Sequence, residues 1–155
     1  MWTMLERLAR GEVADFGGLP AGARVADVIE DFSPEGEPWG EATLGREHRT
    51  ARFVVRERVN GRRLRVWFDP EWRVLSVDFD YPGLTVLPTE LVGRLGEPEA
   101  ELAAEDELFP RLRERVYARR GLSLISDVED RFVVRIVAFA PTTADDYARR
   151  LRVNP

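Results

Sequence analysis

Apolar residues recur along this chain with two different periods. From Val25 they fall at i, i+3, i+4 and i+7: Val25, Val28, Ile29 and Phe32 form one stripe of a helix, with Asp27, Glu30 and Asp31 outside it. Ser33-Pro34 stops that helix. Met4, Leu5 and Leu8 predict a shorter helix before it, closed at Gly11. Residues 33–50, rich in Gly, Pro and Glu, read as a loop. Beyond them the period drops to two. Phe53, Val55 and Val59 alternate with Arg52, Arg56 and Arg58, and Leu64, Val66 and Phe68 alternate with Arg63, Arg65 and Trp67. Asn60-Gly61 between them is a strong hairpin signal, because both residues tolerate positive φ. Asp69-Pro70-Glu71 turns the chain into a third strand, from Trp72 to about Asp80, with Leu75, Val77 and Phe79 on one side. The pattern is an antiparallel meander with one buried face.

The same order then starts again. Leu91, Val92 and Leu95 make a helical stripe with Thr89 as N-cap and Gly96 as C-cap. Residues 97–107 form a second polar connection, partly helical at most. "RERVYARRGLSLISDVEDRFVVRIVAF" reads as three more strands, broken near Gly121 and at Asp127–Asp130. A last helix is capped by Thr142 or Thr143 and carries Tyr147 and Leu151 on one face. Laid side by side, "NGRRL" (60–64) answers "ARRGL" (118–122), and "WRVLSVDF" (72–79) lies over "FVVRIVAF" (132–139). That overlay matches Trp72 to Phe132, Val74 to Val134, Val77 to Val137 and Phe79 to Phe139. The expectation is an α+β fold of antiparallel meander sheets with helices packed on one face. It forms a single compact domain over 1–155, of two tandem pseudo-repeats at about 12–83 and 84–155.

A short helix leading into a meander that ends "RLRVWFDPEWRVLSVDF" resembles the small α+β unit of outer-membrane assembly lipoproteins, which occurs in tandem in the β-lactamase inhibitory proteins. The likeness spans residues 17–139 and rests on pattern and turn positions. It implies helices on one sheet face and a second face free for partner proteins. The chain lacks cysteine, hence both the lipid-accepting residue of such lipoproteins and the disulfides of secreted inhibitors.

Composition narrows the chemistry. With no cysteine there is no thiolate nucleophile or thiolate metal site. All 23 basic residues are arginine, as the codons of a GC-rich genome favour, which excludes Schiff-base and P-loop lysines. A net charge of −5 argues against nucleic acid as a partner. No apolar run reaches the roughly 18 residues of a membrane helix, and the N-terminal segment lacks the order of a signal peptide, so a cytoplasmic protein without a membrane partner is expected.

Catalytic and metal sites are weakly supported. His48 lies in "REHRT" beside Glu47, a pairing that suits a general base, yet no nucleophile is placed to complete a site. "DVED" (127–130) and "DFDYPG" (78–83) lack the ligand spacing of a calcium loop; Asp78 and Asp80 read as acids on the polar face of an edge strand. The expectation is therefore no catalytic residue, no metal and no cofactor. Arg56, Arg58, Arg63, Arg65, Trp67 and Trp72, together with Arg52, compose a candidate partner-binding face, since arginine and tryptophan are enriched at interface hot spots. The reading is a non-catalytic protein-binding module, of the bacterial inhibitor or immunity type, using that face or the acidic loops. The alternative is a small-ligand binder or enzyme with a pocket between the sheet and the 33–50 loop, rimmed by His48 or Tyr117.

Overall fold

A computed structural model describes residues 7, 17–29, 31–36, 39–57, 63–80, 88–104 and 111–153. Met4, Leu5, Leu8 and Gly11 of the predicted first helix, Arg58 and the Asn60-Gly61 turn lie outside the described residues. Eight strands form one antiparallel sheet: β1 (Gly40–Leu44), β2 (Arg49–Glu57), β3 (Arg63–Phe68), β4 (Val74–Asp80), β5 (Ala100–Ala104), β6 (Leu112–Tyr117), β7 (Leu122–Asp127) and β8 (Val133–Phe139). Their spatial order is β1-β2-β3-β4-β8-β7-β6-β5, two four-stranded meanders joined where β4 pairs with β8. Short helices accompany them: α1 (Val25–Val28), α2 (Pro88–Leu95) and α3 (Ala144–Asp146), the last widening into a π-type turn at Tyr147–Leu151. Among the described residues no helix is long and apolar enough to cross a membrane.

Two strands occupy segments read as polar connections. β1 falls within 33–50 and β5 within 97–107. Both are edge strands. β1 exposes Glu41, Ala42 and Thr43 in succession, so it carries no hydrophobic alternation to read.

The sheet has two covered faces rather than one. On the first, Val54, Leu64, Val66, Val77, Phe79 and Ile136 pack with Val25 and Val28 of α1 and Leu91 and Leu95 of α2. On the second, Val116, Val137 and Phe139 pack with Tyr147 and Leu151 of the C-terminal segment. The Phe139 and Tyr147 rings stack at 4.5 Å. The C-terminal helix thus lies on the face opposite α1 and α2, and the expected single helical face is corrected. The overlay of β4 on β8 needs the same correction: Val77 and Phe79 face α1 and α2, whereas Val137 and Phe139 face the C-terminal segment. Equating them is one residue out of phase, and one residue turns every side chain to the other face. Each strand also carries one irregularity of the ladder, between Val74 and Ser76 on β4 and between Val133 and Arg135 on β8. The first also carries Leu75 to the cluster of Leu44, Ala51 and Trp67, away from Val77 and Phe79.

Each bulge follows the same kind of turn. Asp69 accepts from the backbone N–H of Arg73 at 3.0 Å and from its Nε at 2.8 Å; Asp127 does the same for Arg131 at 2.6 and 2.8 Å. The residue before each arginine, Trp72 or Asp130, has positive φ. Burial pushes both carboxyls up, but the arginine bonds outweigh it and hold each below the ordinary aspartate value.

The sheet is strongly coiled. A flat sheet of eight strands would hold its outer strands about 34 Å apart, at about 4.8 Å per step. Here one residue touches both ends: the Arg152 carbonyl accepts from Gly45 N–H, after β1, at 2.7 Å, while its guanidinium donates to Ala103 O on β5 at 2.5 Å and to Glu114 on β6 at 2.6 Å. Arg46 and Glu47 N–H groups bond the carbonyls of Ala148 and Arg149 in the widened turn. Gly45 makes that docking possible, since it has φ 67° and a Cβ there would stand 1.9 Å from Arg149 O. Gly45→Ala should therefore cost at least about 2 kcal/mol and loosen the C-terminal segment. Gly93→Ala, in the middle of α2 with open space at its Cβ position, should instead stabilise by about 1 kcal/mol. Chemical denaturation of both variants checks the pair; a Gly45→Ala protein of wild-type stability would contradict the docking.

Candidate functional site

The register of β2 on β3 decides which candidate residues stand together. Val55 lies opposite Arg65 and Phe53 opposite Trp67, whereas Arg52 pairs with Phe68 and Arg56 with Leu64. Arg52 and Arg56 therefore face the α1 and α2 side, and Arg63, Arg65 and Trp67 face the C-terminal side. The contiguous arginine and tryptophan surface expected from the sequence is split between two faces. Trp72 packs into the apolar cluster on the helical side, where its ring stacks on Phe68 at 5.0 Å and contacts Phe32 at 5.5 Å.

The residues on the C-terminal face are held from below. Trp67 is buried, tilted against Phe53 at 4.8 Å, and its Nε1 donates to Asp78 Oδ2 at 3.1 Å. Arg65 Nη1 donates to the same oxygen at 3.3 Å, and its guanidinium lies 5.6 Å from the Phe53 ring centre. Arg63 Nη2 donates to Asp80 Oδ2 at 3.2 Å, and Arg135 Nε donates to Asp80 Oδ1 at 2.6 Å. Asp78 and Asp80, read from the sequence as edge-strand acids, are instead 0% and 2% exposed on β4, at the centre of the sheet. Their alternation with Phe79 gave the correct shared face but not its burial.

A further buried carboxylate, Glu114, lies on β6. Glu114 accepts from Tyr147 at 2.5 Å, Ser123 at 2.7 Å and Arg152 at 2.6 Å. Burial and the Glu114 carboxylate push the Tyr147 hydroxyl well above its ordinary value, so it stays protonated and can donate to Glu114. Ser76 Oγ and Asp78 Oδ1 are buried with no hydrogen-bonding partner among the described residues. Desolvation raises the Asp78 pKa, against the pull of Arg135 and Arg65.

The residues of the alternative reading are not gathered into one pocket. His48 is exposed in the β1–β2 turn, with φ 51°. Tyr117 is buried on the opposite side, donating its hydroxyl to Gly96 O at 2.9 Å; burial pushes that hydroxyl up. An open cleft of about 620 Å³ does exist, between α2 and β5–β6, lined by Val92, Gly93, Pro98, Glu101 and Arg115 among others. Arg115 on its floor is engaged by Asp130 at 2.7 and 2.9 Å. Among the described residues no cluster of His, Cys, Asp or Glu has the form of a metal site.

These features define an antiparallel sheet protein of α+β type whose centre holds two buried aspartates paired with partly exposed arginines. No family model matches the chain, and no curated protein matches it. Among solved structures it is similar to the crystal structure of a DUF4309 family protein (YjgB) from Bacillus subtilis, at 17% identity and a TM-score of 0.49, over 88% of this chain and 96% of that one. A likeness that loose assigns neither partner nor activity.

The raised Asp78 pKa has a testable sign. A carboxyl whose folded value lies above its unfolded one supports stability below the ordinary aspartate value and withdraws that support as pH rises through the folded value. Asp78→Asn keeps an acceptor for Trp67 and does not titrate. Urea denaturation from about pH 4 to 8 should show the wild-type fall flattened in the variant. Parallel pH profiles would rule out Asp78 as the group responsible.

Proposed function

We propose that the chain is a non-catalytic protein-binding module of the bacterial inhibitor or immunity type, acting in the cytoplasm on another protein. The observation that carries this reading is an exposed Trp39, 42% accessible, with the Arg52 guanidinium 4.7 Å above its ring. An indole left at the surface beside the edge strand, and held in place by a cation, combines large contact area with directed polar groups, the chemistry of interface hot spots. Its Arg/Trp composition is that expected from the sequence, but the residues differ: Arg65 and Trp67 are committed to Asp78, and Trp72 to the Phe32–Phe68 cluster.

We further propose that the single domain consists of two helix-plus-meander repeats, at about 12–83 and 84–155. The mirrored strand order supports this, as do the paired turns "DPEWR" and "DVEDR" with the same Asp–Arg clamp and the same positive φ.

Affinity capture from the native source, read by quantitative mass spectrometry, tests the binding role. The wild-type chain should retain a defined protein that Trp39→Ala/Arg52→Glu loses by tenfold or more. Equal retention by the folded double variant would remove this pair from the interface. A second reading, a small-ligand binder, is favoured by the cleft beside α2. Gly93→Phe would fill that cleft from the helix side, so a ligand-induced thermal shift that survives this change would place the ligand elsewhere.

A further inference from the structure

Two buried polar atoms without a partner meet at the centre of the sheet. Ser76 Oγ and Asp78 Oδ1 make no hydrogen bond among the described residues, and both residues are 0% exposed. They stand two apart on β4 and so share a face. Their partners on β8, Phe139 and Val137, place that face on the side closed by the C-terminal segment.

The protein groups around them are already committed. Ser76 is flanked in its row by Trp67 and Phe139, and Asp78 by Arg65 and Val137. Trp67 spends its one donor, Nε1, on Asp78 Oδ2, and Arg65 Nη1 binds that same oxygen. Ser123, beyond Val137 on β7, and Tyr147, stacked on Phe139, both donate to Glu114. A hydroxyl has a single proton to give, so neither can serve Oδ1 as well.

A carboxylate oxygen and a hydroxyl buried unpaired each carry the full cost of desolvation, and folded proteins meet such groups with interior water. The span suits one molecule. Residues i and i+2 of a strand lie about 6.6 Å apart, and a water making two hydrogen bonds of about 2.8 Å joins oxygens up to about 5.6 Å apart.

We propose that Ser76 and Asp78 form an interior water site, in which one ordered molecule bridges Ser76 Oγ and Asp78 Oδ1 beneath the C-terminal segment. Water donates to a carboxylate and accepts from a carboxyl, so the site holds in either protonation state of Asp78. It completes the one acid of β4 that protein groups leave half satisfied, since Asp80 has both oxygens bound. The site rests on neither reading of the protein's function.

A high-resolution crystal structure of the full chain tests this directly, with water-to-amide NOEs at Ser76, Val77 and Asp78 as the measure in solution. A density peak within about 3 Å of both oxygens is expected, together with an NOE from a long-lived water. Ser76→Val puts methyl groups in the molecule's place and should abolish both signals. Ser76→Ala leaves room and keeps Asp78 as a partner, so it should retain them. The wild-type measurement decides the site even if Ser76→Val, which strands Asp78 Oδ1, fails to fold. Direct contact between the two oxygens, no ordered peak, or signals that persist in Ser76→Val would overturn the proposal.

Discussion

The architecture depends on the pairing of β4 with β8. It joins two meanders that are each locally connected, across 55 residues between Asp80 and Arg135. Because the junction lies in the middle of the sheet, β4 is covered by strands on both sides and by packed residues on both faces. Any polar group on β4 must therefore find its partners inside the protein. Asp80 does so through Arg63 and Arg135; Asp78 does so through Trp67 and Arg65, with one oxygen left over. Breaking one partner of such a pair leaves a buried charge uncompensated, which costs more than the intact pair contributes.

The C-terminal segment imposes the second constraint. Arg152 reaches β1, β5 and β6 together, which requires the coiling that brings the sheet's edges toward each other. Gly45 admits the segment's carbonyls on one side, and Tyr147 fills the apolar cluster at Phe139 on the other. The face that a flat half-exposed meander would leave open is thereby closed over β6 and β8. It remains accessible toward Arg63, where the arginines lie above their aspartates.

Much of the local structure was legible in the residues. The extended patterns located β2, β3, β4, β6, β7 and β8, and the Leu91/Leu95 stripe located α2. Thr143 caps the last helix through a bond from Asp146 N–H at 3.1 Å, as its spacing with the following acids suggests. The edge strands β1 and β5 were not legible: β1 is exposed on three successive residues, and β5, although its burial alternates, consists of alanines around one Glu and one Leu and so has little apolar contrast to read. The candidate site was half legible. Arg63, Arg65 and Trp67 do share a face, but Arg52 and Arg56 do not join them, since alternation within a strand says nothing about its phase against its neighbour.

By itself, the sequence determined strands β2, β3, β4, β6, β7 and β8, helix α2, and which chemistries are closed to a protein without cysteine or lysine. Those follow from nearest-neighbour dihedral preferences and from the inventory of functional groups. Only the tertiary structure decided which arginines are surface and which are ion-paired interior, and that two aspartates of apparently solvated spacing are buried. The reason is that burial is a property of the sheet's order, register and coiling. These are set by contacts between residues far apart in the chain, such as Asp80 with Arg135 and Arg152 with Gly45.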